Sequence, residues 1–220
     1  MKDGLNAKSV AVVLSGCGVY DGSEIHESVC VLLNLAKRGA RVAFFAPDIE
    51  QSDVVNHMTG ACEGGVRRVM EESARIARGN VLPLSGFNAA EFDALVFPGG
   101  FGAAKNLSTF ARDGAGCSVN ADVERAIKAM AAAGKKTAFV CISPVIAAKV
   151  IGGGVRLTIG SDKDTAAALA AMGAEHVECS PKDFVCDEKF GVYSTPAYMS
   201  AADISEVDEG VGKMIAEMLK

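Results

Sequence analysis

The chain has 220 residues, half of them hydrophobic, with 24 glycines and a formal net charge of −5. That length and hydrophobic content suit one α/β domain spanning residues 1–220 with a substantial core, and they exclude a disordered chain. The acidic balance without a basic stripe argues against a nucleic-acid partner, and no apolar run is long enough to cross a bilayer. The start, Met1-Lys-Asp-Gly-Leu-Asn-Ala-Lys-Ser9, is polar and lacks a signal peptide's apolar core, so the expected address is the cytoplasm.

Taken in order, Ser9–Leu14 is a nearly continuous apolar run, as expected for a strand covered on both faces. Residues 23–38 carry apolar side chains at 25, 29, 32 and 36, a helical spacing closed by Gly39. Arg41–Ala46 reads as a second buried strand and residues 65–77 as an amphipathic helix. Val81–Leu84 and Ala94–Phe97 read as further strands, the latter ending in Pro98-Gly-Gly100. Residues 120–133 form a helix stopped by Gly134, residues 137–140 a strand, and residues 144–151 a helix. Arg156–Ile159 is a predicted strand, residues 165–172 a helix, residues 184–194 a hairpin turning at Glu188-Lys189, and residues 204–219 a closing amphipathic helix. Repeated β-α alternation implies a mostly parallel, three-layer α/β sheet, with ligands expected beyond the carboxyl ends of its strands. Cys141, Pro98–Gly102 and Gly16–Gly22 all fall at such ends.

Cys141 ends a strand and is followed by Ser143 and Pro144, which suit a helix cap and first turn. A cysteine at such an elbow is pushed toward solvent, near a helix dipole that favours the thiolate, and is a candidate nucleophile. The alternative is a buried structural thiol, as most free cysteines are. The seven cysteines are irregularly spaced, with no C-x-x-C pair and no histidine cluster, so neither a disulfide framework nor a metal site is expected.

In Ser15-Gly-Cys-Gly-Val-Tyr-Asp-Gly-Ser-Glu-Ile-His-Glu27, glycines follow a strand and precede a helix, as in a dinucleotide loop, with Asp48 as a stand-in for the ribose-binding acid. Glu24 and Glu27 in the first helical turns oppose a pyrophosphate there. Glu27 is instead placed to face Cys141, where a buried, protonated carboxyl would shuttle protons. Glu24 reads as a solvated acid at the helix start. In Phe97-Pro-Gly-Gly-Phe-Gly-Ala-Ala-Lys-Asn-Leu107, the Gly99 and Gly100 amides, with that of Ile142, would form an oxyanion hole; the alternative is an ordinary glycine turn. His26, His57 and Asn106 are candidate accessory residues, and His176-Val-Glu178 resembles the His-x-Glu pair of glutaminase domains but opens a predicted strand, which suits a surface role.

These segments together resemble the ThiJ/PfpI superfamily, and most closely its ElbB branch of isoprenoid, or enhancing-lycopene-biosynthesis, proteins. The match rests on residues 14–27, Pro98–Leu107, Cys141-Ile-Ser-Pro144, Leu157-Thr-Ile-Gly160 and Thr195-Pro-Ala-Tyr-Met199. The resemblance implies a flavodoxin-like, class I amidotransferase-like sandwich with Cys141 at the elbow and Glu27 hydrogen-bonded to it. It implies a cofactor-free glyoxalase that converts glyoxal to glycolate without glutathione, an activity linked in this branch to protein deglycation. A small dicarbonyl substrate and a homodimer are the implied partners. The chain departs from the superfamily in lacking a histidine next to the cysteine or on the following strand, where it reads Ile142 and Ile159-Gly160. That gap weakens protease and glutaminase readings. The rival class is a non-catalytic redox sensor built on an exposed, oxidisable Cys141.

Overall fold

The computed structural model describes residues 7–220. Seven strands form one sheet: β1 (Ser9–Val13), β2 (Arg41–Ala46), β3 (Val81–Pro83), β4 (Ala94–Phe97), β5 (Lys136–Val140), β8 (Val185–Asp187) and β9 (Val192–Thr195). Their order is β3-β2-β1-β4-β5-β9-β8. Every pairing is parallel except the edge hairpin β8–β9. The remaining strands, β6 (Arg156–Leu157) and β7 (Glu175–His176), pair with each other in a separate two-stranded sheet.

The apolar runs have a direct physical origin. Val10 to Val13 are fully buried because both faces of β1 are covered. Alternate side chains of the sheet feed two cores. Ala11, Val13, Leu95, Phe97 and Phe139 pack on one face against α5 (Ala121–Ala132) and α6 (Pro144–Ile151). Val10, Val12, Val96, Ala138 and Val140 pack on the other against α1 (Ile25–Lys37) and α8 (Ile204–Met218). The Phe97 and Phe139 rings stack with centroids 5.1 Å apart, in register on β4 and β5. Burying side chains of this size stabilises by about 1.5–3 kcal/mol each. The result is the three-layer, mostly parallel α/β sandwich expected from the alternation.

The chain turns one way from β1 to β2 and the other way from β4 to β5, so the β1/β4 boundary is a topological switch point. Two expected elements are shorter than their patterns. The helix expected over 65–77 is α2 (Val69–Ile76), because Gly65 has φ 120° and Arg68 is extended. The strand expected over Arg156–Ile159 stops at Leu157, where the Thr158 N–H is drawn to the Ser194 hydroxyl at 2.9 Å. Short helices α3 (Phe101–Lys105) and α4 (Phe110–Asp113) follow β4, and α7 (Lys163–Ala171) lies between β6 and β7. Among the described residues, no helix is long and apolar enough to cross a membrane.

Candidate active site

Cys141 follows β5 directly and holds φ at 61°, a conformation non-glycine residues rarely adopt. Local bonds enforce it. The Cys141 N–H donates to the Thr195 carbonyl at 3.0 Å. The Ser143 hydroxyl, fully buried, lies 2.9 Å from the Phe97 carbonyl and accepts from the Val140 N–H at 2.8 Å. Strain held in this way by surrounding structure is a feature of functional elbows. The thiol does not project into solvent as expected: Cys141 is only 8% exposed.

Glu27, on the first turn of α1, is fully buried beside Cys141, the two side chains meeting over Gly99. Its Oε2 accepts from the Gly99 N–H at 3.0 Å and its Oε1 from the Tyr198 N–H at 3.2 Å. Burial and the neighbouring Glu24 charge push the carboxyl up to about 8, against an ordinary value of 4.5. Burial, and then the Glu27 charge, also push the Cys141 thiol up, while the Gly100 and Ile142 N–H groups favour its anion. The helix dipole does not prevail here. Two buried acids in contact cannot both ionise cheaply, so the pair holds one shared negative charge before a second.

The three amides expected to face an oxyanion therefore divide. The Gly100 and Ile142 N–H groups favour the sulfur's anion, whereas the Gly99 N–H is committed to Glu27. Gly99 still has to be glycine, because an added Cβ would overlap the Cys141 Cβ and the Val140 carbonyl. Gly100 has φ 93°, and a Cβ there would overlap the Glu24 N–H and the Gly22 carbonyl.

Glu24 is not a solvated acid. It is 8% exposed, its Oε2 caps α1 by accepting from the Glu27 N–H at 2.6 Å, and it lines the cavity beside Cys141. That cap occupies the helix N-terminus a pyrophosphate would need, and Asp48 is paired with Arg68 at 2.6 Å. The glycine loop after β1 is instead packed on itself: a Cβ on Gly22 would overlap the Gly16 backbone.

Of the accessory candidates, only His26 borders the site, with Nδ1 2.8 Å from the Tyr198 hydroxyl. His57 packs over Gly18 and Tyr20, accepting from the Tyr20 N–H at 3.2 Å and sitting 3.1 Å from the Val55 carbonyl. Asn106 is a loop brace, donating to the Ser15 and Asp21 carbonyls at 2.8 Å each and accepting from the Ser52 N–H at 2.9 Å. Neither touches Cys141 or its cavity; the accessory role expected of them is replaced by loop support. His176 lies on β7, in the separate sheet.

The cavity over Cys141 measures about 370 Å³. Phe101, Ala104, Phe110, Ala111, Ile142 and Met199 give it an apolar wall, and Glu24, Asp162, Thr165 and Tyr198 supply polar groups. Phe110, Ala111, Asp162 and Thr165 lie outside every segment that the sequence marks as part of a site. Tyr198 lies in the segment Thr195–Met199 already singled out, as the centre of a 3₁₀ turn after Pro196. Among the described residues, no group of three or more His, Cys, Asp or Glu side chains is placed to hold a metal ion.

No family model matches the chain. It is 46% identical over 224 residues to human glutamine amidotransferase-like class 1 domain-containing protein 3, mitochondrial, covering 97% of this chain and 83% of the relative. It is 35% identical to zebrafish (Danio rerio) ES1 protein, mitochondrial, covering 96% and 85%. Among solved structures, an isoprenoid biosynthesis protein with amidotransferase-like domain from Ehrlichia chaffeensis superposes with a TM-score of 0.91 at 37% identity, over 97% of this chain and 98% of that one. Drosophila melanogaster DJ-1beta, at 16% identity and TM-score 0.54 over 97% and 96% of the two chains, shares the fold. A nucleophile-type elbow on a ThiJ/PfpI-like sandwich, with these identities along nearly the whole chain, makes the protein a member of the glutamine amidotransferase-like class 1 domain family.

Proposed function

We propose that the protein is a cysteine-dependent, glutathione-independent glyoxalase of the ElbB type, converting glyoxal to glycolate, with protein deglycation as a related activity. One observation carries the reading: Glu27 is buried against Cys141 over Gly99, while the Gly100 and Ile142 N–H groups favour the anion of the same sulfur. This is a nucleophile, a proton shuttle and an oxyanion nest in one cavity.

The steps follow from the shared charge. When the pair carries its one negative charge on Glu27, the carboxylate takes the thiol proton as sulfur attacks one aldehyde carbon, and the new oxyanion sits against the two amides. Glu27 gives that oxygen its proton, leaving a hemithioacetal and a carboxylate. The carboxylate then takes the proton from the attacked carbon and returns it to the second carbon, while the hydroxyl proton passes from the first oxygen to the second, so a thioester replaces the hemithioacetal. Water, deprotonated by Glu27, adds to the thioester; the carbon–sulfur bond breaks, glycolate and a proton leave, and the thiolate takes its proton back from Glu27. A carboxyl held near 8 suits both acid and base duty at neutral pH.

A redox-sensing role would need peroxide to reach a low-pKa thiol, and an 8% exposed thiol raised by burial is poorly suited to that. A glutaminase role lacks its histidine, since none lines the cavity. The test is the pair of single variants. Cys141→Ala and Glu27→Gln should each abolish turnover of glyoxal; full activity in Glu27→Gln would rule out the shuttle.

A further inference from the structure

The steps above use two substrate oxygens, and the Gly100 and Ile142 amides serve the one on the attacked carbon. The second oxygen gains charge when Glu27 removes the carbon-bound proton, because that electron pair moves onto it. A donor on another wall of the cavity has to meet it.

Tyr198 is on that wall. Its turn is tied to both reacting groups: Thr195, at the end of β9, accepts from the Cys141 N–H at 3.0 Å, and the Tyr198 N–H donates to Glu27 Oε1 at 3.2 Å. Its hydroxyl lies 2.8 Å from His26 Nδ1, with the two rings 5.8 Å apart. His26 is exposed, so the pair runs from the cavity to solvent. When His26 Nδ1 donates, the phenol proton is free to point at the substrate. Burial and the charges of Glu24, Cys30, Glu27 and Asp203 around it keep the phenol protonated, in the donor form.

We propose that Tyr198 is a catalytic acid for the second oxygen, with His26 as its positioning partner, so that a Tyr–His pair stands where a histidine beside the cysteine is absent. The assignment rests on the glyoxalase reading. As the carbon-bound proton passes to Glu27, Tyr198 gives its proton to the second oxygen, and an enediol forms on the sulfur. When the enediol collapses, the first oxygen returns a proton to Tyr198 and Glu27 protonates the second carbon. No proton is gained or lost by the pair over the cycle. His26 donates a hydrogen bond to the transient phenolate.

The experiment measures kcat and KM on glyoxal for wild type, Cys141→Ser, Tyr198→Phe and His26→Ala, with and without added imidazole, alongside thermal melting of each. General acid catalysis is worth about 10²–10⁴-fold, so Tyr198→Phe should lose at least roughly 30-fold in kcat with little change in KM. His26→Ala, a surface change that leaves the core intact, should lose about tenfold and regain rate with imidazole, a rescue absent in wild type and in Tyr198→Phe. A kcat for Tyr198→Phe near that of wild type, or a His26→Ala loss that imidazole does not restore, overturns the Tyr–His assignment while Cys141-dependent turnover keeps the glyoxalase reading. Absence of turnover in wild type overturns both.

Discussion

Replacing Glu27 by Gln tests the electrostatics of the site without reference to any substrate. Glu27 is fully buried, and its carboxyl is raised from 4.5 to about 8 by burial and by Glu24. In the unfolded chain the same group ionises near its ordinary value, so between those two pH values the native state holds a proton that the unfolded state has released. Stability then falls as pH rises through that window. The contribution is whole below pH 4.5 and gone once the pH has passed about 8. Its size is on the order of 5 kcal/mol across the window, with about 3 kcal/mol lost by pH 7. Gln cannot titrate, but its amide turns a donor toward the Gly99 or Tyr198 N–H, a pH-independent cost of about 1–3 kcal/mol. The variant should therefore be the less stable protein at pH 5 and should gain steadily on wild type up to pH 8. Urea unfolding at constant ionic strength, at half-unit steps from pH 5 to 8, reads this directly. Parallel pH profiles for the two proteins would refute the claim that Glu27 is held neutral by burial.

Other consequences follow from the same geometry. Gly99→Ala should lose about 1–3 kcal/mol and all turnover, because its methyl group overlaps Cys141 and Glu27; melting temperature and rate check both. Ser143→Ala leaves the buried Val140 N–H without its hydroxyl partner and should cost about 1–3 kcal/mol in denaturant titration. Iodoacetamide should label Cys141 faster in Glu27→Gln than in wild type at pH 9, since the carboxylate charge that opposes the thiolate is gone; equal rates by mass spectrometry would deny the coupling. The apolar wall of Phe101, Phe110, Ile142 and Met199 should give phenylglyoxal a KM roughly tenfold below that of glyoxal, measured by initial rates.

Much of the fold was legible because its central strands are buried on both faces. Val10–Val13 and Ala94–Phe97 are continuous apolar runs, and helices α1, α5 and α8 show a 3.6-residue apolar period. The juxtaposition of Cys141 and Glu27 was legible for the same reason, since Cys141 directly follows one recognisable strand and Glu27 opens the helix that follows another. The cavity wall was not. Phe101–Lys105 and Phe110–Asp113 are too short to show periodicity, and Tyr198 sits in a single 3₁₀ turn. Glu24 misled because an acid in a first helical turn usually faces water; here Gly22 and Gly100 pack so closely that it is enclosed. The thiol's behaviour depended on a competition between dipole, burial and a neighbouring acid, which spacing alone does not weigh.

The most direct measurement is glycolate formation from glyoxal by fully reduced protein, without glutathione, followed by NMR for wild type and Cys141→Ser. Sustained glycolate production by wild type and none by the variant is the expected result. No glycolate from wild type, or equal production by the variant, would contradict a Cys141-based glyoxalase.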